Sequence, residues 1–267
     1  MQPFLATLRM SLVESGYFGV MNTVGEYLLK YLRMLPMLLV WTSLFAAAGA
    51  SSGVPAQDAV IDGMRLEQML SYTLLAAAFA PLLSIRTAIS SWLHDGQILS
   101  LYRRPMGVLR QLVAMTLGGM VPHLLLVGLP CIAILAPLMN LHFGTRLPLA
   151  LLSLLLTVIQ GFAVDFLFAC LIVRSGNLSY QVDSLRNALT ALLTGSVIPF
   201  AALPFGIGAF LALTPLGTLA GAPLSIATGL ASPAPILIAQ ALWTALLCPL
   251  AAHLFSRSLE RMVSYGG

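Results

Sequence analysis

Long apolar runs separated by short polar intervals are the feature that most limits how this chain can fold. Hydrophobic residues make up 59% of the 267 residues and charged residues only 8%, whereas soluble domains carry about 25% charged residues. A membrane-spanning helix needs about 20 apolar residues. The sequence therefore predicts an all-α polytopic membrane protein, with one transmembrane domain over residues 1–267 and six spans at about 31–50, 67–85, 111–138, 148–173, 188–203 and 233–256.

The first 29 residues predict a different kind of helix. Phe4, Leu5, Leu8 and Leu12 recur at helical spacing, with polar residues on the other faces. This pattern is typical of an amphipathic helix that lies on the membrane surface. A cytosolic extension of the first span is the alternative interpretation.

Glycine and proline interrupt the apolar region 188–231, which is too long for one helix. Non-helical backbone at membrane depth is tolerated where it is buried in protein or lines a cavity. We therefore predict a helix over about 188–203 and a broken, re-entrant helical pair over about 205–229. The candidate gate residues of this region are Pro199, Pro204 and Pro215.

The positions of the basic residues predict the orientation, because cytoplasmic loops are enriched in Lys and Arg. Of the thirteen Lys and Arg residues, Arg65 and Arg146 lie on one side of the predicted spans. The other eleven share the opposite side, which we assign to the cytoplasm together with both termini. They are Arg9, Lys30, Arg33, Arg86, Arg103, Arg104, Arg110, Arg174, Arg186, Arg257 and Arg261.

Several enzyme motifs are missing from the sequence. A phosphate-binding P-loop ends in Lys-Ser or Lys-Thr, but the single lysine, Lys30, precedes Tyr31. The sequence contains no HExxH zinc motif, and its three cysteines lie in apolar runs without metal-ligand spacing. We therefore expect no enzyme activity, no metal and no cofactor in this chain itself.

Three polar residues lie inside predicted spans. Asp165 and Gln160 fall in the fourth span and His123 in the third. An ionisable residue at the bilayer centre costs about 2.5–3.5 kcal/mol on insertion scales and usually faces the bundle interior or water. These residues either line a polar part of a substrate path or form hydrogen bonds between helices.

The polar interval 86–110 contains a motif that resembles a known family. The segment HDGQILSLYRRPMGVL (94–109) has an acidic-Gly turn, a Leu-rich turn and then Arg-Pro. VWTSLF (40–45), GSVIPFAALP (195–204), LTPLG (213–217), GAPLSIATG (221–229), Gln240, Trp243 and the terminal Gly266-Gly267 add to the pattern. In this order, the motifs resemble the stand-alone permease subunits of type-2 ATP-binding-cassette (ABC) exporters over nearly the whole chain.

The resemblance implies a dimer of permeases, identical or homologous, on two cytosolic ATPases that bind ATP and Mg²⁺. It also implies that the cytoplasmic loop 86–110 docks into the ATPase. The residues expected to couple the two proteins are Trp92, His94, Asp95, Gly96, Leu101, Arg103, Arg104 and Pro105. Headgroup contact alone is the alternative role for the arginines, and an interfacial anchor is the alternative for Trp92.

The function expected from these features is export of an amphiphilic substrate, such as a drug, peptide or lipid, across a bacterial inner membrane. The chain would contact membrane lipids and its protein partners but no nucleic acid. An ion-coupled secondary transporter and a membrane assembly protein without transport are the alternatives.

Overall fold

The computed structural model describes residues 2–61, 63–87, 89–94, 98–138, 146–175, 178–203 and 205–265. A short hairpin pairs β1 (Val60–Ile61) antiparallel with β2 (Met64–Arg65), and helices form most of the remainder. The helices are α1 (Gln2–Ser52), α2 (Leu66–Ala78), α3 (Ala80–Leu83), α4 (Ile89–His94), α5 (Leu99–Tyr102), α6 (Val108–Leu138), α7 (Leu147–Ser175), α8 (Ser179–Leu193), α9 (Ile207–Ala212), α10 (Gly217–Ala227) and α11 (Pro233–Tyr265).

Within the described part of the chain, four helical stretches are long and apolar enough to cross a membrane. They correspond to the predicted first, third, fourth and sixth spans. Their bounds are Met34–Ser52, Val108–Leu138, Leu147–Ser175 and Pro233–Ser258. The protein is therefore helical with several candidate membrane-spanning helices, as the apolar pattern predicted.

The N-terminal region differs from the prediction of an interfacial helix followed by a separate span. Helix α1 continues from Gln2 to Ser52, and no proline lies between Pro3 and Pro36 to interrupt it. Its first turns pack on α6, where the Ser11 hydroxyl donates to the Met115 carbonyl at 2.7 Å. A Cβ built at Gly118 of α6 would lie only 2.5 Å from the Leu8 carbonyl oxygen. The early residues of α1 thus belong to the helix bundle.

Two predicted spans do not form continuous helices. In the predicted span 67–85, α2 ends at Ala78 and the chain restarts as α3, since Pro81 cannot continue the preceding hydrogen-bond ladder. The prediction of a helix over 188–203 was wrong in its position. Helix α8 instead begins at Ser179 and ends at Leu193, and Gly195 then takes a left-handed backbone conformation with φ of 72°.

Helix α6 remains helical through the prolines and glycines of the predicted third span. Its backbone widens into π-helical turns at Leu124–Gly128 and Cys131–Leu135. Such turns accommodate the missing N–H of a proline without ending the helix.

The largest buried cluster ties the polar interval 86–110 to the long helices. Ile89, Ile98 and Leu101 from the interval pack with residues of α6, α7 and α11, including the stacked pair Phe162 and Phe166. The described residues of the segment 86–110 are therefore packed into the bundle and include α4 and α5. Contacts at its start determine the geometry of the candidate site.

Candidate functional site

A cavity of about 940 Å³ lies between α1, α2, α3 and α6. Its volume falls near the upper end of the range of about 300–1,000 Å³ that is usual for small-molecule sites. Four methionines contribute to its walls: Met34, Met37, Met115 and Met120. Because methionine is flexible and polarisable, such walls adapt to irregular apolar ligands.

Small side chains on α2 and α3 leave the space that forms the cavity. Thr73, Ala76 and Ala77 of α2 line it at three- and four-residue spacing, and Ala80 of α3 and Ser84, which follows α3, continue the wall. Facing residues of α6 add Thr116 and Gly119 to the wall. The cavity is therefore mainly apolar, with hydroxyl groups distributed along it.

Two residues of the polar interval, Arg86 and Trp92, also line the cavity. Trp92 lies on α4, and Arg86 lies in the non-helical link between α3 and α4. None of the described residues that line the cavity carries a carboxylate. Its lining thus combines an apolar wall with a cationic group and an aromatic ring.

The link between α3 and α4 is held by two other helices. The Arg186 guanidinium of α8 donates to the Ile85 carbonyl at 2.7 Å, and Arg86 pairs with Asp183 of α8 at 2.5 Å. The Thr87 amide donates to Asp165 of α7 at 3.1 Å, and the Thr87 hydroxyl also donates to this carboxylate. Consecutive residues of the link therefore contact α7 and α8.

Asp165, a predicted substrate-path residue, lies in this network and does not line the cavity described above. Its other carboxylate oxygen lies 2.6 Å from the Arg186 guanidinium, and the two side chains are 1% and 7% exposed. The guanidinium also lies 5.9 Å from the centre of the Phe168 ring. These contacts make Asp165 a link between α7, α8 and the entry to α4.

Gln160 lies in a second polar network, in which α7, α10 and α11 meet. Its amide donates to the Pro215 carbonyl at 2.6 Å and to the Thr218 hydroxyl at 3.0 Å. Gln240 of α11 donates to the Thr157 hydroxyl at 2.9 Å and to the Thr218 carbonyl at 3.1 Å. Gln160 therefore joins helices, whereas His123 of α6 is buried at the cavity wall.

The predicted docking residues divide into buried and exposed groups. Leu101 is 1% exposed and packs in the core, so its side chain is not available to a partner in this conformation. Arg103, Arg104 and Pro105 are exposed. Partial burial raises the pKa of the neighbouring Tyr102 phenol.

Gln111 of α6 holds the exposed turn in place, because its amide donates to the Leu101 carbonyl at 2.8 Å and also to the Met106 carbonyl. At the other end of the docking motif, His94 is the last residue of α4. Asp95 and Gly96 lie outside the described residues.

Of the predicted gate prolines, Pro204 lies outside the described residues. Pro199 is buried, and it precedes a 3₁₀ turn that begins at Phe200. A Cβ at Gly195 would lie 2.9 Å from the Phe200 ring, and a Cβ at Gly221 would lie 2.4 Å from it. The ring thus occupies space left by two glycines at the broken region between α8 and α10.

No family model, curated protein or solved structure matches this chain. Within the described ranges, no group of three or more His, Cys, Asp and Glu residues could hold a metal ion.

The sequence pattern did not indicate that Arg86 lines a cavity or that Arg186 is the partner of Asp165. The sequence did contain a signal for the second, since an acid inside an apolar span commonly pairs with another ionisable group. Arg186 lies in the next polar segment of the chain. No comparable pattern indicated that the small residues of α2 and the methionines of α1 and α6 enclose a cavity.

Proposed function

We propose that this chain is the permease subunit of an exporter that moves an amphiphilic substrate outward, driven by ATP hydrolysis in a separate cytosolic protein. The observation that carries the proposal is the shared lining of the cavity. Arg86 and Trp92 come from the polar interval 86–110, whereas α1, α2 and α6 supply the remaining walls. A displacement of that interval would change the shape of the cavity directly.

In this proposal the chain crosses a bacterial inner membrane six times, with both termini in the cytoplasm. Helices α2 and α3 form the second crossing, and α8 to α10 form a broken fifth crossing with a re-entrant part. Contacts between element ends support this path. Gln68 donates to the Thr228 carbonyl at 3.2 Å and Arg146 to the Ala231 carbonyl at 3.1 Å. The Arg86–Asp183 pair joins the link between α3 and α4 to the first turns of α8.

The exposed arginines Arg103 and Arg104 supply the contact with the ATPase, which would bind ATP and Mg²⁺. They follow a buried anchor, Leu101, and Gln111 holds their turn against α6. Paired arginines suit acidic groups on a partner. A second permease, identical or homologous, completes the transporter.

Purification of the tagged full-length chain from its host membranes tests this proposal. We expect an ATPase with a P-loop to co-purify, identified by mass spectrometry, and its hydrolysis to respond to the permease. The double substitution Arg103→Glu and Arg104→Glu should remove most of the bound ATPase. Arg65→Glu, which reverses the charge of one exposed arginine near the start of α2, is the control for a charge reversal elsewhere on the chain and should retain it.

The proposal fails if no ATPase accompanies the native chain, or if the double variant retains as much ATPase as the Arg65 control. Measurement of thermal unfolding for each variant separates loss of docking from loss of folding.

The buried Asp165–Arg186 pair favours a second candidate, an ion-coupled transporter, because paired ionisable groups inside membrane helices often belong to proton or ion pathways. Substrate movement in proteoliposomes without ATPase distinguishes the two. Transport driven by an imposed proton gradient alone would support ion coupling, and transport that requires the ATPase and ATP would support the exporter.

A further inference from the structure

We infer that the cavity binds an amphiphile with an anionic head group, and that Arg86 recognises this head group in competition with Asp183. The inference depends on the proposed function only in treating the cavity as the substrate site. The carboxylate or phosphate head of the ligand would lie at Arg86, and the hydrocarbon chain of the ligand would lie along the methionines of α1 and α6.

The charge of the lining favours an anion. Arg86 contributes a positive charge, and none of the described lining residues contributes a carboxylate. Arginine offers several N–H donors in a planar arrangement that fits carboxylate and phosphate groups. A cationic amphiphile would place its head group beside this arginine without a lining acid to neutralise it.

The apolar part of the cavity suits a hydrocarbon chain. Met34, Met37, Met115 and Met120 line it together with the alanines of α2 and α3. Trp92, from the same polar interval as Arg86, adds an aromatic surface to the lining. The arrangement of a cation and a tryptophan near an apolar wall is complementary to a molecule with one charged end.

The two ion pairs at the link between α3 and α4 differ in their exposure, and this difference allows exchange at one of them. The Asp165–Arg186 pair has side-chain exposures of 1% and 7%. In the Arg86–Asp183 pair, the arginine side chain is 50% exposed and the aspartate 21% exposed. Because exposed ion pairs contribute little stability, a ligand anion can replace Asp183 at Arg86 while the buried pair stays in place.

Replacement of Asp183 would connect ligand binding to helix movement. Asp183 lies on α8, whereas Arg86 precedes α4 and Trp92. A bound anion would therefore break one of the two contacts between α8 and the link, while Arg186 still donates to the Ile85 carbonyl and Thr87 keeps its contacts with Asp165. Ligand binding in the cavity would thus be coupled to the interval 86–110 through a single ion pair.

Quenching of tryptophan fluorescence tests the inference on the full-length chain in phosphatidylcholine nanodiscs. The probe is a dibrominated long-chain fatty acid, which quenches Trp92 on contact, and its methyl ester is the uncharged control. We expect the acid to bind more tightly than the ester. Arg86→Gln should weaken binding of the acid about tenfold and leave binding of the ester unchanged.

Asp183→Asn should change the affinity for the acid in the opposite direction to Arg86→Gln. Removal of the competing carboxylate should strengthen binding of the acid by about two- to fivefold, whereas a merely structural role of the pair would make both variants weaker. Arg174→Gln removes an exposed positive charge outside the cavity and should bind both probes normally. Trp92→Phe should abolish the difference in quenching between the acid and the ester. This result would show that Trp92 is the fluorophore that reports binding.

Nanodiscs that contain phosphatidylglycerol distinguish the two sources of an anionic amphiphile. If phosphatidylglycerol competes with the brominated acid in the native chain but not in Arg86→Gln, the ligand is a bilayer lipid. If the binding curve of the acid is unchanged by phosphatidylglycerol, the ligand is a single-chain molecule. Both results support an anionic ligand.

Equal binding of acid and ester by the native chain would overturn the inference. So would weaker acid binding by Asp183→Asn in a protein with unchanged thermal unfolding. Neither measurement uses ATP or an ATPase, so the exporter proposal fails or succeeds independently.

Discussion

The Asp165 carboxylate and the Arg186 guanidinium form an ion pair at 2.6 Å, and both side chains are almost completely buried. Asp165 lies on the long helix α7 and Arg186 on the short helix α8. Since Arg186 also donates to Ile85 and Asp165 accepts from Thr87, the pair fixes the link that leads into α4.

Asp165→Asn should destabilise the protein by about 3–5 kcal/mol, because it leaves the Arg186 charge buried without its counter-ion. Thermal or denaturant unfolding of the purified variant in nanodiscs measures this loss. The paired substitution Asp165→Leu with Arg186→Met removes both charges and should recover much of the stability. If the single variant is as stable as the native chain but transports poorly, Asp165 acts in a pathway and not as a structural link.

Gly118→Ala should disturb the contact between α1 and α6. The added Cβ would lie 2.5 Å from the Leu8 carbonyl oxygen, whereas a Cβ at the adjacent Gly119 would lie 3.5 Å from the Ser15 hydroxyl. Overpacking of this kind costs about 1–3 kcal/mol. We expect a lower unfolding temperature for Gly118→Ala and little change for Gly119→Ala. Similar temperatures for the two variants would contradict this contact.

Gln240→Leu should weaken the junction of α7, α10 and α11. It removes donors to Ser153, Thr157 and Thr218, and hydrogen bonds between membrane helices average about 0.6 kcal/mol each. The expected loss is therefore about 1–2 kcal/mol in unfolding experiments. Ile238→Leu, at an exposed position on the same helix, is the control. Unchanged stability of Gln240→Leu would show that this network contributes little.

Gln111→Leu should loosen the turn that carries Arg103 and Arg104. Its amide holds the Leu101 and Met106 carbonyls, which bracket both arginines. Limited trypsin digestion of the nanodisc-bound protein should therefore cut this turn several-fold faster in the variant. Cleavage after Arg174, at the end of α7, provides an internal comparison and should keep its native rate. A uniform rise at both sites would indicate general unfolding instead.

The sequence predicted best where an element depends on its own composition. Helices α6 and α7 lie within a few residues of the predicted spans because long apolar runs favour them without reference to neighbours. The sequence shows Pro81, but it does not show whether this proline ends the helix, as between α2 and α3, or is tolerated within one, as in α6. The start of α8 was missed because its polar residues pair with distant groups, Asp183 with Arg86 and Arg186 with Asp165.

The candidate site was less predictable than the helices, since it depends on which helix faces meet. His123 was predicted for a substrate path and Trp92 for the contact with the ATPase, and both line the cavity. Gln160 and Asp165 were predicted for the same path as His123, yet they contact neighbouring helices. The alanine face of α2 carries no chemical signal by itself and becomes a cavity wall only opposite α6.

The Phe200 ring, packed where Gly195 and Gly221 have no side chains, restricts the order in which this region can evolve. A larger residue at position 221 requires a smaller side chain at position 200 first, whereas the reverse order passes through a clash. Loss of the ring would leave a void beside both glycines and permit substitution at position 221. Position 195 stays restricted by its positive φ. Descendants of this chain with a larger residue at position 221 should therefore also have a smaller one at position 200, and they should retain glycine at 195.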